Sequence, residues 1–165
     1  MQTCHVVDVH IRIILPVVIA FLVITGCASS YRIKTNTADQ YNSNMEHLLR
    51  EEIKLWLYTP HSMGGTNSAG VDCSGFVMTV YNKLFGITLP RGTESQVAAG
   101  VFIDKNKLKP GDLVFFKPPK IKRHVGIYLS NGEFAHTSSR KGVIISKIDD
   151  PYWLNSYWTS RRILP

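Results

Sequence analysis

One short motif places a thiol where it can be activated as a nucleophile. Residues 72–76 read Asp-Cys-Ser-Gly-Phe, and Cys73 stands where a glycine-containing loop gives way to a run with helical periodicity. The unpaired N–H groups and the positive dipole end of a helix favour a thiolate, and a nearby imidazolium lowers the pKa of a thiol further. Such a thiolate can attack a carbonyl carbon while backbone N–H groups at the helix start, among them that of Ser74, stabilise the oxyanion. The motif predicts acyl chemistry with Cys73 as nucleophile.

Two histidines can supply the base that this thiol needs. His124 and His136 lie on either side of Asn131-Gly132, a strong hairpin signal. We predict a turn at this dipeptide that pairs residues 128–130 with residues 133–135 and leaves the histidines diagonally offset on neighbouring strands. His124 would then act as general base and later as general acid, and His136 would fix the tautomer of His124.

Taken singly, these residues also fit simpler interpretations. A lone cysteine can be buried and inert, and a lone histidine is more often an ordinary surface or core residue. A zinc site fits poorly, because Cys73, His124 and His136 come without a carboxylate at suitable spacing. We therefore predict no metal and no other cofactor.

The elements that must position these residues follow from the spacing of apolar residues. Three helices are predicted: residues 43–58 with Asn42 or Ser43 as cap, residues 73–85 ended by Gly86, and residues 93–99 with Thr93 as cap and Gly100 as stop. Four short strands are predicted at residues 113–116, 125–129, 133–136 and 143–146, because each is rich in β-branched or aromatic residues and turn signals separate them. Helices first and strands later predict an α+β domain with an antiparallel sheet.

The N-terminal segment differs in composition from the rest. Residues 11–25 form an apolar run, with Arg12 at its front edge, that is too short to span a membrane comfortably. Ile24-Thr25-Gly26-Cys27 ends it and resembles the lipobox of bacterial lipoproteins, in which the cysteine receives lipid. We predict a signal peptide at residues 1–26, lipidation of Cys27, a polar tether without regular structure at residues 27–41, and a domain at residues 42–165. A buried helix or an uncleaved signal anchor is the alternative.

Cysteine usage and charge refine this prediction. Cys4 would leave with the signal peptide and Cys27 would be lipidated, so that Cys73 is the remaining free thiol and no internal disulfide forms. An unpaired cysteine in an oxidising compartment suggests chemical use. The net charge of +7 suits anionic lipid heads or a carboxylate-rich wall polymer better than nucleic acid once export is assumed, although ordinary solubility explains it equally well.

The motifs together resemble the NlpC family of papain-like cysteine peptidases, in its compact lipoprotein form from Gram-negative bacteria. The resemblance covers nearly the whole domain and rests on Trp56, Gly64-Gly65, residues 72–76, Leu89-Pro90-Arg91, residues 110–114, residues 124–128, Phe134-Ala135-His136 and Arg161-Arg162. It implies a papain-like α+β fold, cleavage of peptide bonds in wall stem peptides through a thioester, and a triad of Cys73, His124 and His136. An amidase or acyltransferase on the same fold, or an inactive peptidoglycan-binding lipoprotein, is the alternative.

The resemblance also suggests substrate-binding residues and a location. The family usually has a tyrosine shortly before the paired glycines, where this chain has His61. An imidazole titrates near neutral pH and a phenol does not, so His61 could add pH dependence, or it could be a neutral replacement in a tolerant loop. Asp72 could shape the loop or contact substrate amines, and Ser74 could meet the substrate through its backbone N–H. Arg91 could bind a stem-peptide carboxylate or be solvated surface. We predict a monomer that is lipid-anchored on the periplasmic face of a bacterial membrane. Because Ala28 rather than aspartate follows Cys27, the outer membrane is favoured.

Overall fold

Residues 37–164 are described by the computed structural model, so the predicted signal peptide and the lipidation site at Cys27 lie outside the described residues. The helices are α1 (Thr37–Trp56), α2 (Cys73–Phe85), α3 (Thr93–Gln96) and α4 (Pro151–Leu154), with a 3₁₀ turn at Lys105–Lys107. The strands are β1 (Thr66–Asn67), β2 (Gly70–Val71), β3 (Val101–Phe102), β4 (Leu113–Phe116), β5 (His124–Tyr128), β6 (Glu133–Ser138), β7 (Gly142–Lys147) and β8 (Tyr157–Arg162).

Six of the strands form one antiparallel sheet. Their order is β3-β8-β4-β5-β6-β7, while β1 and β2 form a separate two-stranded hairpin just before α2. Two long helices followed by an antiparallel sheet confirm the predicted α+β class.

Both faces of the sheet are covered, which explains why all four residues of β4 are buried. Leu113 and Phe115 pack with α1 and α2 in the main core. Val114 and Phe116 point the other way, into a smaller cluster that Trp153 of α4 covers. The alternation of strand side chains thus divides the interior into two cores on opposite faces of the sheet.

Helix α1 begins earlier than predicted. Residues 37–41, assigned from sequence to a tether without structure, are helical, and the predicted cap at Asn42 or Ser43 is wrong. This first part of the helix buries no side chain, so its sequence carries no apolar periodicity. It continues the backbone hydrogen bonds of the buried part, and Gln40 donates to Asn44 one turn on at 2.8 Å.

Helix α2 agrees with the prediction, whereas α3 is shorter. Gly86 ends α2 in the left-handed conformation at φ 65°. In α3 the cap is Gly92 and Thr93 is the first helical residue, which frees the Thr93 hydroxyl for other contacts.

The hairpin between β5 and β6 differs from the prediction by one residue. Leu129 donates its N–H to the Glu133 carbonyl at 2.9 Å, and Glu133 donates its N–H to the Ser130 carbonyl at 2.8 Å. Two residues on one strand therefore face one residue on the other, which is a β-bulge. The bulge shifts the register so that Ile127 lies opposite Ala135, instead of Tyr128.

Strand β8 was not predicted, because its sequence lacks apolar alternation. It lies between β3 and β4 and is fixed there by a fork in which Arg162 donates to both carboxylate oxygens of Asp112, at 2.8 and 2.7 Å. Asp112 is 2% exposed, so this pair is held in a largely dry environment. No helix among residues 37–164 has the length and apolarity needed to cross a membrane.

Candidate active site

Asp72 organises the start of the helix that carries the thiol. Its carboxylate caps α2 by accepting the Gly75 N–H at 2.7 Å, and it also accepts the Gly64 N–H at 2.8 Å and the Ser74 hydroxyl at 3.1 Å. These bonds join the β1–β2 region to the first turn of α2. Cys73 is thereby fixed at the N-terminal end of α2, as predicted from sequence.

Arg91 completes this arrangement from the opposite side. Its guanidinium forks onto Asp72 at 2.9 and 2.7 Å, and it also donates to the Ser74 hydroxyl at 3.0 Å and the Gly65 carbonyl at 3.2 Å. Burial raises the pKa of Asp72, but the bonds from Arg91 and from the backbone outweigh burial and lower this pKa to about 2. Four of the five N–H donors of Arg91 are thus used within the protein, which leaves one donor for a ligand. The contact of Arg91 with a substrate carboxylate stays a prediction.

The backbone packs closely beneath the nucleophile. A Cβ atom on Gly75 would lie 2.2 Å from the Gly65 carbonyl oxygen, a separation that atoms do not tolerate. Glycine at position 75 is therefore required for the loop to lie against the first turn of α2.

Cys73 is half-buried and is the one free cysteine among the described residues. Its Sγ lies 3.7 Å from the Thr93 hydroxyl. Burial raises the pKa of the Cys73 thiol, while the Thr93 hydroxyl and the backbone N–H of Val125 act in the opposite direction. The resting residue is therefore a thiol that needs a base to become a thiolate.

The two histidines meet as predicted, although by way of the bulged hairpin. His124 Nε2 lies 3.0 Å from His136 Nδ1, and His136 Nε2 lies 2.9 Å from the Ser146 hydroxyl. The register places Gly126 opposite His136, so His124, two residues before Gly126, lies on the same face of the sheet. The plain turn predicted from sequence would have placed Ile127 opposite His136 and turned His124 to the other face.

Trp153 packs against both imidazoles. Its ring stacks on His124, with centroids 5.2 Å apart and planes 25° apart, and meets His136 edge-on at 4.7 Å. Burial lowers the pKa of His124 to about 4, with a smaller contribution from His61. Burial and the neighbouring His124 lower the pKa of His136 as well. Both rings are therefore neutral at neutral pH, the state in which an imidazole can accept a proton.

Cys73 and His124 line one cavity of about 190 Å³. His61, Asp72 and Ser74, all predicted from sequence as substrate-binding, line the same cavity. Arg91 does not line this cavity, although it is paired with Asp72, which does. Among residues 37–164 no group of three or more His, Cys, Asp or Glu side chains is arranged to hold a metal ion.

Several contributors to the site escaped the sequence argument, and three of them contact the thiol or the histidines directly. Thr93 had been assigned only a capping role, Ser146 lies on a strand with no motif around it, and Trp153 lies in a four-residue helix. Only Trp153 carried any signal, since a tryptophan preceded by Asp149-Asp150-Pro151 marks a capped turn with a large apolar side chain.

The hydrogen bonds define one consistent set of proton positions. With Nε2 of His124 directed at His136, Nδ1 of His124 is the nitrogen left to exchange a proton with Cys73. Nε2 of His124 must then carry a proton and donate it to His136 Nδ1, and His136 Nε2 in turn donates to Ser146. A thiol at a helix start and an oriented imidazole in one cavity define the side-chain arrangement of a papain-like cysteine hydrolase.

Comparison with known proteins gives the family. The model of the NlpC/P60 family matches residues 58–162, and the chain belongs to this family. It is 39% identical over 149 residues to a probable endopeptidase NlpC of Escherichia coli K12, covering 89% of this chain and 97% of that protein. It is 38% identical over 123 residues to the murein DD-endopeptidase MepS/murein LD-carboxypeptidase of the same organism, covering 74% of this chain and 65% of that protein.

Solved structures agree with the fold. An NlpC/P60 family protein from Bacillus cereus ATCC 10987 matches with a TM-score of 0.66 at 35% identity, covering 73% of this chain and 40% of that chain. The NlpC/p60 domain of the peptidoglycan hydrolase SagA matches with a TM-score of 0.61 at 27% identity, covering 71% of this chain and 97% of that chain. The family and the fold predicted from sequence are confirmed.

Proposed function

We propose that this chain is a peptidoglycan endopeptidase of the cysteine type, which hydrolyses peptide bonds in wall stem peptides or their crosslinks. The observation that carries the proposal is the placement of Cys73 and His124 in one cavity, with His136 bonded to His124 at 3.0 Å. The names of the two Escherichia coli relatives, a probable endopeptidase and a murein endopeptidase, support the substrate class.

The reaction follows from the groups present. Nδ1 of His124 takes the proton of Cys73, and the thiolate sulfur bonds to the carbonyl carbon of the scissile amide. Backbone N–H groups at the start of α2 stabilise the oxyanion. When the C–N bond breaks, the leaving nitrogen takes the proton from His124, and a thioester remains. Water then attacks the thioester carbon while His124 accepts a proton from this water. The C–S bond breaks as His124 returns the proton to the sulfur, which releases the thiol and a carboxylic acid.

Anchoring and location form a separate part of the proposal. Lipid on Cys27 would hold the domain, as a monomer, on the periplasmic face of a membrane, and Ala28 after that cysteine favours the outer membrane. Labelling of cells with a fatty acid tests the anchor directly. We expect label on the wild-type chain and none on Cys27→Ser, and label that persists on the variant would contradict the assignment.

Digestion of purified peptidoglycan tests the activity. The purified full chain, kept in detergent, is incubated with peptidoglycan beside its Cys73→Ala variant, and the fragments are identified by mass spectrometry. New fragments with the intact thiol alone would support a murein hydrolase, and their masses would show which bond is cut. Fragments carrying a transferred acyl group, or no fragments at several pH values under reducing conditions, would contradict hydrolysis.

A further inference from the structure

A second cavity adjoins the one that holds the thiol. It measures about 390 Å³ and shares His124 with the first cavity, but it contains His136 and Trp153 in place of Cys73. Ile121, Thr137 and Ser139 also line both cavities, whereas Cys73 lines only the first and His136 and Trp153 line only the second.

The reaction indicates which half of the substrate each of the two cavities would hold. The acyl carbon must bond to Cys73 Sγ, close to the start of α2, and the leaving nitrogen must take its proton from His124. The half of the substrate attached to that nitrogen therefore extends past His124, away from α2. The second cavity is lined by His124 but by no residue of α2, so it is placed to receive the leaving group.

The walls of this second cavity are mainly apolar, with one charge. Ile121, Tyr152 and Trp153 supply the apolar surface, and the two histidines and residues 137–139 line most of the rest. Arg140 is the only Asp, Glu, Lys or Arg residue among the lining residues. The cavity therefore favours a ligand that carries a negative charge.

Arg140 also differs from the other arginines in residues 37–164. Each of the other five contacts an acceptor within the protein: Arg50 with Glu46 and Glu133, Arg91 with Asp72, Arg123 with Glu94, Arg161 with the Val97 carbonyl, and Arg162 with Asp112. Arg140 engages only its backbone N–H, which bonds to the Ser138 hydroxyl at 3.3 Å, and no described residue accepts from its exposed guanidinium. A guanidinium without an acceptor at the edge of this cavity can take a carboxylate in a two-bond fork.

We propose that this second cavity is the leaving-group pocket and that Arg140 binds a free carboxylate on the carbon that bears the scissile nitrogen. This inference rests on the proposed function and sharpens it. In a crosslink from D-alanine to a diamino acid that has a carboxyl group at each end, the leaving residue carries such a carboxyl beside the nitrogen. In the bond after D-glutamate, the corresponding carboxyl is joined in the next peptide bond when the stem continues. Arg140 therefore selects for the crosslink.

Matched substrates test the selection. Two crosslinked stem-peptide dimers are compared that differ only at the carboxyl next to the scissile nitrogen, which is free in one and a carboxamide in the other. For the full-length wild-type chain we expect kcat/KM to be about tenfold higher for the free carboxylate, the size of one charge-assisted contact at a partly exposed site. Arg140→Gln should remove this preference, so that the two dimers are cleaved with similar kcat/KM.

Lys141→Gln is the matched control, because it removes the same charge from the next residue, which lines a different cavity. It should keep the wild-type preference. Equal cleavage of both dimers by the wild-type chain, or a preference that survives in Arg140→Gln, would overturn the role of Arg140 and leave the proposed function standing.

A binding measurement separates the two proposals if neither dimer is cleaved. The amine half of each dimer is titrated into the full-length Cys73→Ala chain by calorimetry, with and without Arg140→Gln. Tighter binding of the free carboxylate that depends on Arg140 would support the pocket even where hydrolysis fails. Equal binding of both halves would overturn it.

Discussion

The two buried histidines make the stability of the fold depend on pH in a window above the titration of the carboxylates. Burial lowers the pKa of His124 from 6.5 to about 4, so between these values the unfolded chain binds a proton that the folded chain does not. The contribution of neutral His124 to the unfolding free energy is therefore fully present above about pH 6.5 and is lost as the pH drops toward 4. At about pH 5 this histidine alone lowers the unfolding free energy by about 2 kcal/mol relative to about pH 7.5. His136 adds to the loss in the same direction.

Urea unfolding followed by circular dichroism measures this difference. Wild-type protein should lose at least about 2 kcal/mol between about pH 7.5 and pH 5, and His124→Gln should lose about 2 kcal/mol less over the same interval. His47→Gln is the control, because His47 is an exposed histidine on α1, and it should behave like the wild type. A wild-type stability that does not change over this interval, or a His124→Gln variant that falls as steeply as the wild type, would refute the argument from burial.

Three other predictions concern the residues around the thiol. Asp72→Asn should lower the unfolding free energy in urea by about 2 kcal/mol, because it weakens the cap of α2 and leaves Arg91 without its charge partner. The control is Asp104→Asn at an exposed cap, which should lower the unfolding free energy by less than about 1 kcal/mol. Equal losses in the two variants would contradict this prediction. His61→Tyr should flatten kcat/KM between roughly pH 5 and 8, and an unchanged profile would count against a role for His61. Trp153→Leu should lower kcat about tenfold with a smaller change in KM, because the ring that stacks on the imidazolium of His124 is lost; an unchanged kcat would exclude this role.

The helical half of the fold could be predicted because its signals are local. Gly86 ends α2 in the conformation that glycine adopts most readily, and the apolar face of α2 is continuous. The first residues of α1 could not be predicted, since they make no core contacts that would leave a pattern. Strand β8 could not be predicted either, because it is fixed by the fork between Arg162 and Asp112, residues that are 50 positions apart.

Part of the candidate site could likewise be predicted from the sequence, and part of it could not. Cys73, His124 and His136 could be chosen from their types and from the elements expected around them, and the structure brings Cys73 and His124 into one cavity. The engagement of Arg91 by Asp72 could not be foreseen, because nothing in residues 89–91 indicates which carboxylate lies nearby. Contacts of this kind depend on how loops meet in three dimensions, which single-sequence patterns do not encode.

The bulge at Leu129 and Ser130 gives this hairpin a rule for changes in its length. Side chains alternate across a strand, so a hairpin that paired β5 with β6 one residue out of this register would turn His124 and His136 to opposite faces of the sheet and leave His124 without its partner. Hairpins transplanted into this position should therefore succeed only if they keep Ile127 opposite Ala135, whatever the composition of their turns.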